Sequence, residues 1–198
     1  MRGAESSQIF NNWHHLYNIQ RINVIGTSGS GKSTFSKKLA EILNCRHIEI
    51  DQLYWRPNWQ EAPEDEFLSS LEEALKAEKW VLDGNYTRTT PVKWRNVQMV
   101  IWLDYSFPKI LTRVVKRAIQ RSITKEDLWN TGNRESLLRA ISKDSIIWWS
   151  IKTYKPNKIK YELTIKDENY NHIQFARLKS PKEADRFLKD LLEFQALQ

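Results

Sequence analysis

Short runs of β-branched and aromatic residues alternate, from residue 21 onward, with longer stretches whose apolar side chains recur every three or four positions. INVIG (22–26) is the first such run, and Phe35, Leu39, Ile42 and Leu43 share a face of the stretch behind it, predicting a helix over 32–43. HIEI (47–50) predicts a second strand, EDEFLSSLEEALKAE (64–78) a helix with Phe67, Leu68, Leu71 and Leu75 on one side, and WVLD (80–83) a third strand. VQMVIWL (97–103) is the fourth, followed by a helix over 107–121 that carries Pro108 in its first turn. A polar loop over 122–133, a helix over 134–154 ending before Pro156, a fifth strand over 172–178 and a last helix over 181–194 complete the order. Residues 1–20 show neither a helical stripe nor alternation and read as an N-terminal extension outside the core. Strands alternating with helices predict an α/β fold, a five-stranded parallel sheet with helices on both faces.

GTSGSGKST (26–34) falls between the first strand and the first helix and fits the pattern GxxxxGK[ST] at Gly26, Gly31, Lys32 and Ser33. This is the context the phosphate-binding loop of P-loop NTPases requires. Its glycines let successive N–H groups face phosphate oxygens, and the helix N-terminus adds a favourable dipole. The expected nucleotide contacts are Gly26, Ser28, Gly29, Ser30, Gly31, Lys32, Ser33 and Thr34, with Lys32 on the outer phosphates and the Ser33 hydroxyl on Mg²⁺.

In a doubly wound sheet, ligands lie at the carboxyl ends of the strands. The second strand ends Glu49-Ile50-Asp51, where alternation would aim both carboxylates into one cleft; the third ends at Asp83-Gly84, a carboxylate placed to sit near a metal ion. The duller alternative for all three is turn and cap chemistry. Arg113 and Arg117 stand i, i+4 on the helix after the fourth strand, and Arg121, Arg134 and Arg139 continue the basic run. Phosphoryl transfer needs such cations around the moving group, although a solvated basic face would look the same.

Charge sharpens this picture. The net charge is +7, yet residues 105–160 hold 13 basic against 4 acidic residues and the rest of the chain is close to balanced, so the basicity belongs to one segment, 105–160, within which the resemblance set out below implies a lid over about 118–160. The single cysteine, Cys45, excludes an intramolecular disulfide, reads as a small buried apolar residue and suits a reducing cytoplasm. No apolar run approaches the roughly 20 residues that span a bilayer. His14, His15, His47 and His172 lack metal-ligand spacing. Tyr54, Trp55 and Trp59 follow Asp51 and either stack on a flat acceptor or pack a loop onto the body, while Trp148 and Trp149, on a helix, read as core.

The phosphate loop, LDGNY at the third strand, LDYSFPKILTRVVKR at the fourth and the basic lid resemble the adenylate-kinase-like branch of P-loop kinases, DGNYTR being similar to that family's DGFPR segment. More narrowly, IEIDQLYWRPNW, KWVLDGNY, TGNRESLLRA and IIWWSIKTY resemble adenylate kinase-like proteins often labelled DNA topology modulation proteins. The likeness runs over about 21–192 and implies a kinase-like domain at 21–194 that binds ATP and Mg²⁺ and phosphorylates a small-molecule or nucleotide-like acceptor. In that reading Lys32, Asp51, Arg113 and Arg117 are catalytic, and Ser33 and Asp83 hold the metal. Asn85-Tyr86 departs from the phenylalanine-proline of adenylate kinases and Arg88 stands one place late, which points away from AMP as acceptor. The alternative from another class is a nucleic-acid-associated ATP-binding regulator, for which no helix-turn-helix, zinc-finger or RNA-binding signature is present.

Overall fold

The computed structural model describes residues 19–135 and 145–197. Strand β1 (Arg21–Gly26) leads through the glycine-rich loop into helix α1 (Lys32–Ile42), and β2 (Arg46–Glu49) runs directly into the short helix α2 (Ile50–Tyr54). A two-stranded antiparallel hairpin, β3 (Trp55–Arg56) and β4 (Gln60–Glu61), precedes α3 (Glu64–Ala74) and β5 (Trp80–Asp83). Next come α4 (Thr90–Lys93), β6 (Met99–Leu103), α5 (Phe107–Thr124), α6 (Ile146–Thr164), β7 (Gln174–Leu178) and α7 (Pro181–Ala196).

The main sheet has the order β2-β5-β1-β6-β7, with every neighbouring pair parallel. Because the chain leaves β1 for β2, returns to β5 beside β1 and then crosses to β6, the order reverses at β1. The carboxyl end of that strand is therefore the switch-point crevice where α/β sheets bind ligands, and the glycine-rich loop opens from it. Two cores cover the sheet. Ile22 and Val24 of β1 face one, with Phe35, Leu39, Val114 and Phe187; Ile25 faces the other, with Phe67, Leu71, Trp80 and Trp94. Helix α5 is held by Ile110, Val114 and Ala118, spaced i, i+4, i+8 and all buried. Truncating a core residue such as Leu71 to alanine would cost about 2–5 kcal/mol.

Asn23 is a polar residue in the central strand, and its position is explained by its partners. Its amide donates to the carbonyls of Leu82 at 3.0 Å and Gly84 at 3.2 Å, and its oxygen accepts from Trp94 Nε1 at 2.8 Å. A buried amide with these partners fixes the height of the β5 end relative to β1.

Several expectations need correction. The second strand stops at Glu49, and Asp51 lies in the first turn of α2, so strand alternation does not align the two carboxylates. The helix expected over 134–154 is not one helix: Arg134 and Glu135 are outside any helix, 136–144, with Arg139, lie outside the described residues, and Ser145 starts α6 afresh by accepting from the Trp148 amide at 3.2 Å. Pro156 does not end it. An interior proline costs about 3 kcal/mol, and packing beyond it opposes that cost: Tyr161, 3% exposed, meets the Trp102 ring at 5.5 Å, and Lys158 and Glu162 pair with Asp104 and Arg177. Trp148 and Trp149 are 47% and 61% exposed rather than core, because α6 turns Ser150, Tyr154 and Tyr161 toward the body. Cys45 is a half-buried free thiol at the edge of the first core. At the other end of the described segment, Ile19 is buried in the core, and residues 1–18 of the expected extension lie outside the described residues.

Candidate active site

The loop from Gly26 to Gly31 is shaped by positive φ at three glycines, and two of them meet α5. A Cβ on Gly29 (φ +85°) would collide with Val114 Cγ2, and one on Gly31 (φ +90°) would lie 2.7 Å from Arg113 Nη2. The loop thus rests against α5 along the face that carries Arg113 and Arg117. Arg117 Nη2 donates to Ser28 Oγ at 3.0 Å while its Nε is buried without a partner. The i, i+4 pair foreseen in the sequence does converge on the loop. Arg113 is exposed, with its guanidinium over the Tyr105 ring at 5.9 Å.

Lys32, at the start of α1, reaches back to the Thr27 carbonyl at 3.5 Å. Burial pulls its ammonium below the usual lysine range, against the attraction of Asp83 and Asp51. Asp83 ends β5 beside it, 5% exposed. Burial raises its carboxyl to about 6, Lys32 and a hydrogen bond with Ser33 oppose the rise, and Asp51 and Glu49 add to it. Its Oδ1 is buried with no hydrogen-bond partner. Glu49 is likewise pushed up, by burial and then by Asp51, with Lys37 and Arg121 acting the other way. Asp83 and Asp51 therefore act on Lys32 and Glu49 acts on Asp83, although α2 rather than strand alternation brings Asp51 there.

Contacts at the loop after β5 are the part the sequence reading missed. Asn85 clasps Gly26 with both ends of its amide, accepting from the Gly26 N–H at 3.0 Å and donating to its carbonyl at 2.8 Å. Tyr86 donates its hydroxyl to Asp51 Oδ1 at 2.7 Å. From α6, the buried Ser150 hydroxyl donates to the Ser28 carbonyl at 3.1 Å. The available signal was the departure from phenylalanine-proline at Asn85-Tyr86, which replaces two apolar side chains with two hydrogen-bonding ones.

Of the later arginines, neither Arg121 nor Arg134 joins the loop, and Arg139 lies outside the described residues. Arg121 pairs with Glu126 and Glu135, both at 3.4 Å, and Arg134 is exposed. Tyr54 is buried among Trp55, Phe67 and Tyr86, with ring centroids 4.9–5.1 Å away. Trp55 and Trp59 are half-buried and meet Trp129, which lies past the end of α5. Asn133 ties the same two segments, donating to the Arg56 carbonyl and accepting from the Trp59 amide, each at 2.8 Å. Arg88 lies 5.0 Å over the Tyr54 ring and 5.4 Å over Phe67. Among the described residues no group of three or more His, Cys, Asp or Glu forms a metal cage, and no helix is long and apolar enough to cross a membrane.

A phosphate loop at the switch point of a parallel sheet, with a lysine, a serine and a strand-end carboxylate around it, defines a P-loop nucleotide-binding protein of the α/β class. Residues 22–136 match the AAA domain family, and the chain belongs to that family. It is 32% identical to the shikimate kinase of Synechococcus elongatus, over 46% of this chain and 55% of that protein, and equally to the shikimate kinase of a second Synechococcus strain. The chain thus spans about half the length of the curated relatives it matches. The solved structure of shikimate kinase from Acinetobacter baumannii in complex with shikimate shares the fold, with a TM-score of 0.55 over 93% of this chain and 97% of that one at 13% identity.

Proposed function

We propose that the chain is an ATP-dependent kinase that moves the γ-phosphate of ATP to a small-molecule or nucleotide-like acceptor. The observation that carries this reading is convergence: Lys32, Asp51 and Asp83 act on one another at the switch point, and Arg113 and Arg117 lean on the same loop from α5. The amides of the loop and Lys32 hold the phosphates. Asp51, oriented by Tyr86, takes the proton of the acceptor hydroxyl as its oxygen bonds to the γ-phosphorus and the bond to the β-bridging oxygen breaks, leaving ADP. Arg117 and Arg113 neutralise the charge on the phosphoryl oxygens as it moves.

The chemistry of the donors suits Mg²⁺ at Ser33 and Asp83, since Asp83 keeps a buried oxygen without a partner beside the Ser33 hydroxyl. When bound, the ion supplies further neutralisation of the phosphate oxygens. The acceptor would lie beyond Asp51, where Arg88 and the rings of Tyr54, Trp55, Trp59 and Trp129 supply a cation and an aromatic wall.

Within the adenylate-kinase-like branch we place the chain with the proteins often labelled DNA topology modulation proteins, on the IEIDQLYWRPNW and KWVLDGNY segments, and we read the label as a kinase by another name. The working domain is 21–194 with a lid over about 118–160, and the unpaired Cys45 suits a reducing cytoplasm. The test is ADP release on addition of hydroxyl-bearing acceptors, with shikimate first because the Acinetobacter baumannii fold neighbour is in complex with it, then nucleosides and nucleotides. Product formation that Asp51→Asn abolishes supports the reading; ATP hydrolysis unaffected by every acceptor would overturn it.

A further inference from the structure

Lys93, the last residue of α4, has its side chain 1% exposed, and among the described residues no carboxylate forms an ion pair with it. Its Nζ donates to the Asn85 carbonyl and, at 3.5 Å, to the Gly84 carbonyl. The charged group acting on it is a like charge, Lys160 of α6, which is itself engaged with Thr87 Oγ1 at 2.7 Å. Burial, with Lys160 adding to it, brings the Lys93 ammonium down to about 7. A buried cation without a counter-ion costs several kcal/mol, and an apolar side chain of the same length would fill the space more cheaply. Volume is therefore not what this lysine contributes.

What it holds explains it better. The two carbonyls belong to the segment whose side chains make the contacts described above, Asn85 on both backbone atoms of Gly26 and Tyr86 on Asp51. One end of that segment sets the start of the phosphate loop and the other sets the carboxylate facing the acceptor. We propose that Lys93 is a positioning residue whose ammonium grips residues 84–86 from behind, so that the nucleotide cradle and Asp51 keep one geometry. The proposal rests on the kinase reading for the role of Asp51; its nucleotide half stands on binding alone.

Calorimetric titration of the full chain with a non-hydrolysable Mg-ATP analogue, from about pH 6 to about pH 8.5, compares wild type, Lys93→Met and Lys93→Arg. Near pH 6 the methionine variant should bind about tenfold more weakly, the worth of one charge-assisted hydrogen bond. That deficit should shrink to about twofold near pH 8.5, because the wild-type lysine has then lost its proton. Lys93→Arg, whose guanidinium does not titrate in this range, should keep the wild-type low-pH affinity throughout. Lys32, lowered by burial, and Asp83 and Glu49, raised by it, are present in all three proteins, so their own protonation cancels from the ratios. A Lys93→Met deficit of the same factor at every pH, or no deficit, would mean that the residue only packs and would overturn the proposal. Where Lys93→Arg melts below the working temperature, the wild-type-to-methionine ratio across pH decides. Failure to find any acceptor would leave this measurement untouched, so the two readings fail separately.

Discussion

The Tyr86 hydroxyl donates to Asp51 Oδ1 at 2.7 Å and so joins the loop after β5 to the first turn of α2. Burial, then the charge of Asp51, holds this phenol above its ordinary range, which keeps it a donor at every working pH. An oriented carboxylate is a better proton acceptor than a mobile one because the hydroxyl it serves must approach along one lone pair.

Asp51→Asn should retain nucleotide affinity and lose transfer, since the amide keeps the shape and cannot take the acceptor's proton. Tyr86→Phe should lower turnover about 10-fold or more with the nucleotide affinity unchanged, the loss of one hydrogen bond to a charged group. Single-turnover assays with the acceptor found by screening measure both. Wild-type turnover in Asp51→Asn would remove this carboxylate from the mechanism.

Lys32→Ala should remove tight Mg-ATP binding with little change in melting temperature. The side chain points back over the loop toward Thr27 and contributes no apolar burial to either core. Calorimetry paired with a thermal melt separates the two effects, and unchanged affinity in a folded variant would sink the role of the phosphate loop.

The succession of the five main-sheet strands along the chain, the loop and the pairing of Arg113 with Arg117 were legible because each is a local signal: β-branched runs, a glycine motif in its strand-helix context, and a helical period. Asp51 was singled out as a candidate for a reason that does not hold, since the strand ends at Glu49 and Asp51 lies in a helix whose Ile50 and Tyr54 pack into the second core. Asn85 showed only as a departure from phenylalanine-proline, and Lys93 and Ser150 were not legible. Each acts through backbone atoms of another segment, Gly26, Asn85 and Ser28, and a backbone acceptor leaves no mark on the residue that supplies it. The exposed Trp148 and Trp149 misled for the opposite reason: tryptophan suggests burial, yet the position of the contact face of α6 is set by Ser150 and Tyr154.

Asp83 makes the stability of the fold depend on pH. Its carboxyl stands at about 6 in the folded chain, above the ordinary value of 3.8, so between those values the native state holds more protons than the unfolded one. Stability therefore falls as pH rises from about 4 to about 6, and the cost is fully present at pH 7. Asp83→Asn should stabilise the protein at neutral pH by on the order of 1–2 kcal/mol, less than the full shift implies because the variant also gives up the attraction to Lys32. The gain should vanish below about pH 4. Urea melts at both pH values read the difference, and Mg²⁺-dependent nucleotide affinity should drop in the same variant. Equal stability at neutral pH would mean that Asp83 is not strained by its burial.

The arginines of α5 separate a kinase from a nucleic-acid-bound regulator. Arg117 already donates to Ser28 and Arg113 lies against Gly31, so both cations are committed to the loop before any ligand arrives. Arg121 is neutralised by Glu126 and Glu135. On this geometry Arg117→Ala and Arg113→Ala should each slow transfer by roughly 10³-fold or more, as for other arginines that stabilise a moving phosphoryl group. A track for a polynucleotide backbone would instead engage several cations together, and its affinity would fall with salt at a log-log slope of about −0.9 for each phosphate contacted. Titrating a labelled duplex across a salt series, with and without Mg-ATP, distinguishes the two. Weak binding with a shallow slope, and no change on mutating Arg117, is expected, because a guanidinium turned inward onto Ser28 is not available to an outer phosphate. Sub-micromolar binding at physiological salt with a slope of several units would overturn the kinase reading of this segment, since non-specific contacts alone give about 10⁻⁴ to 10⁻⁶ M.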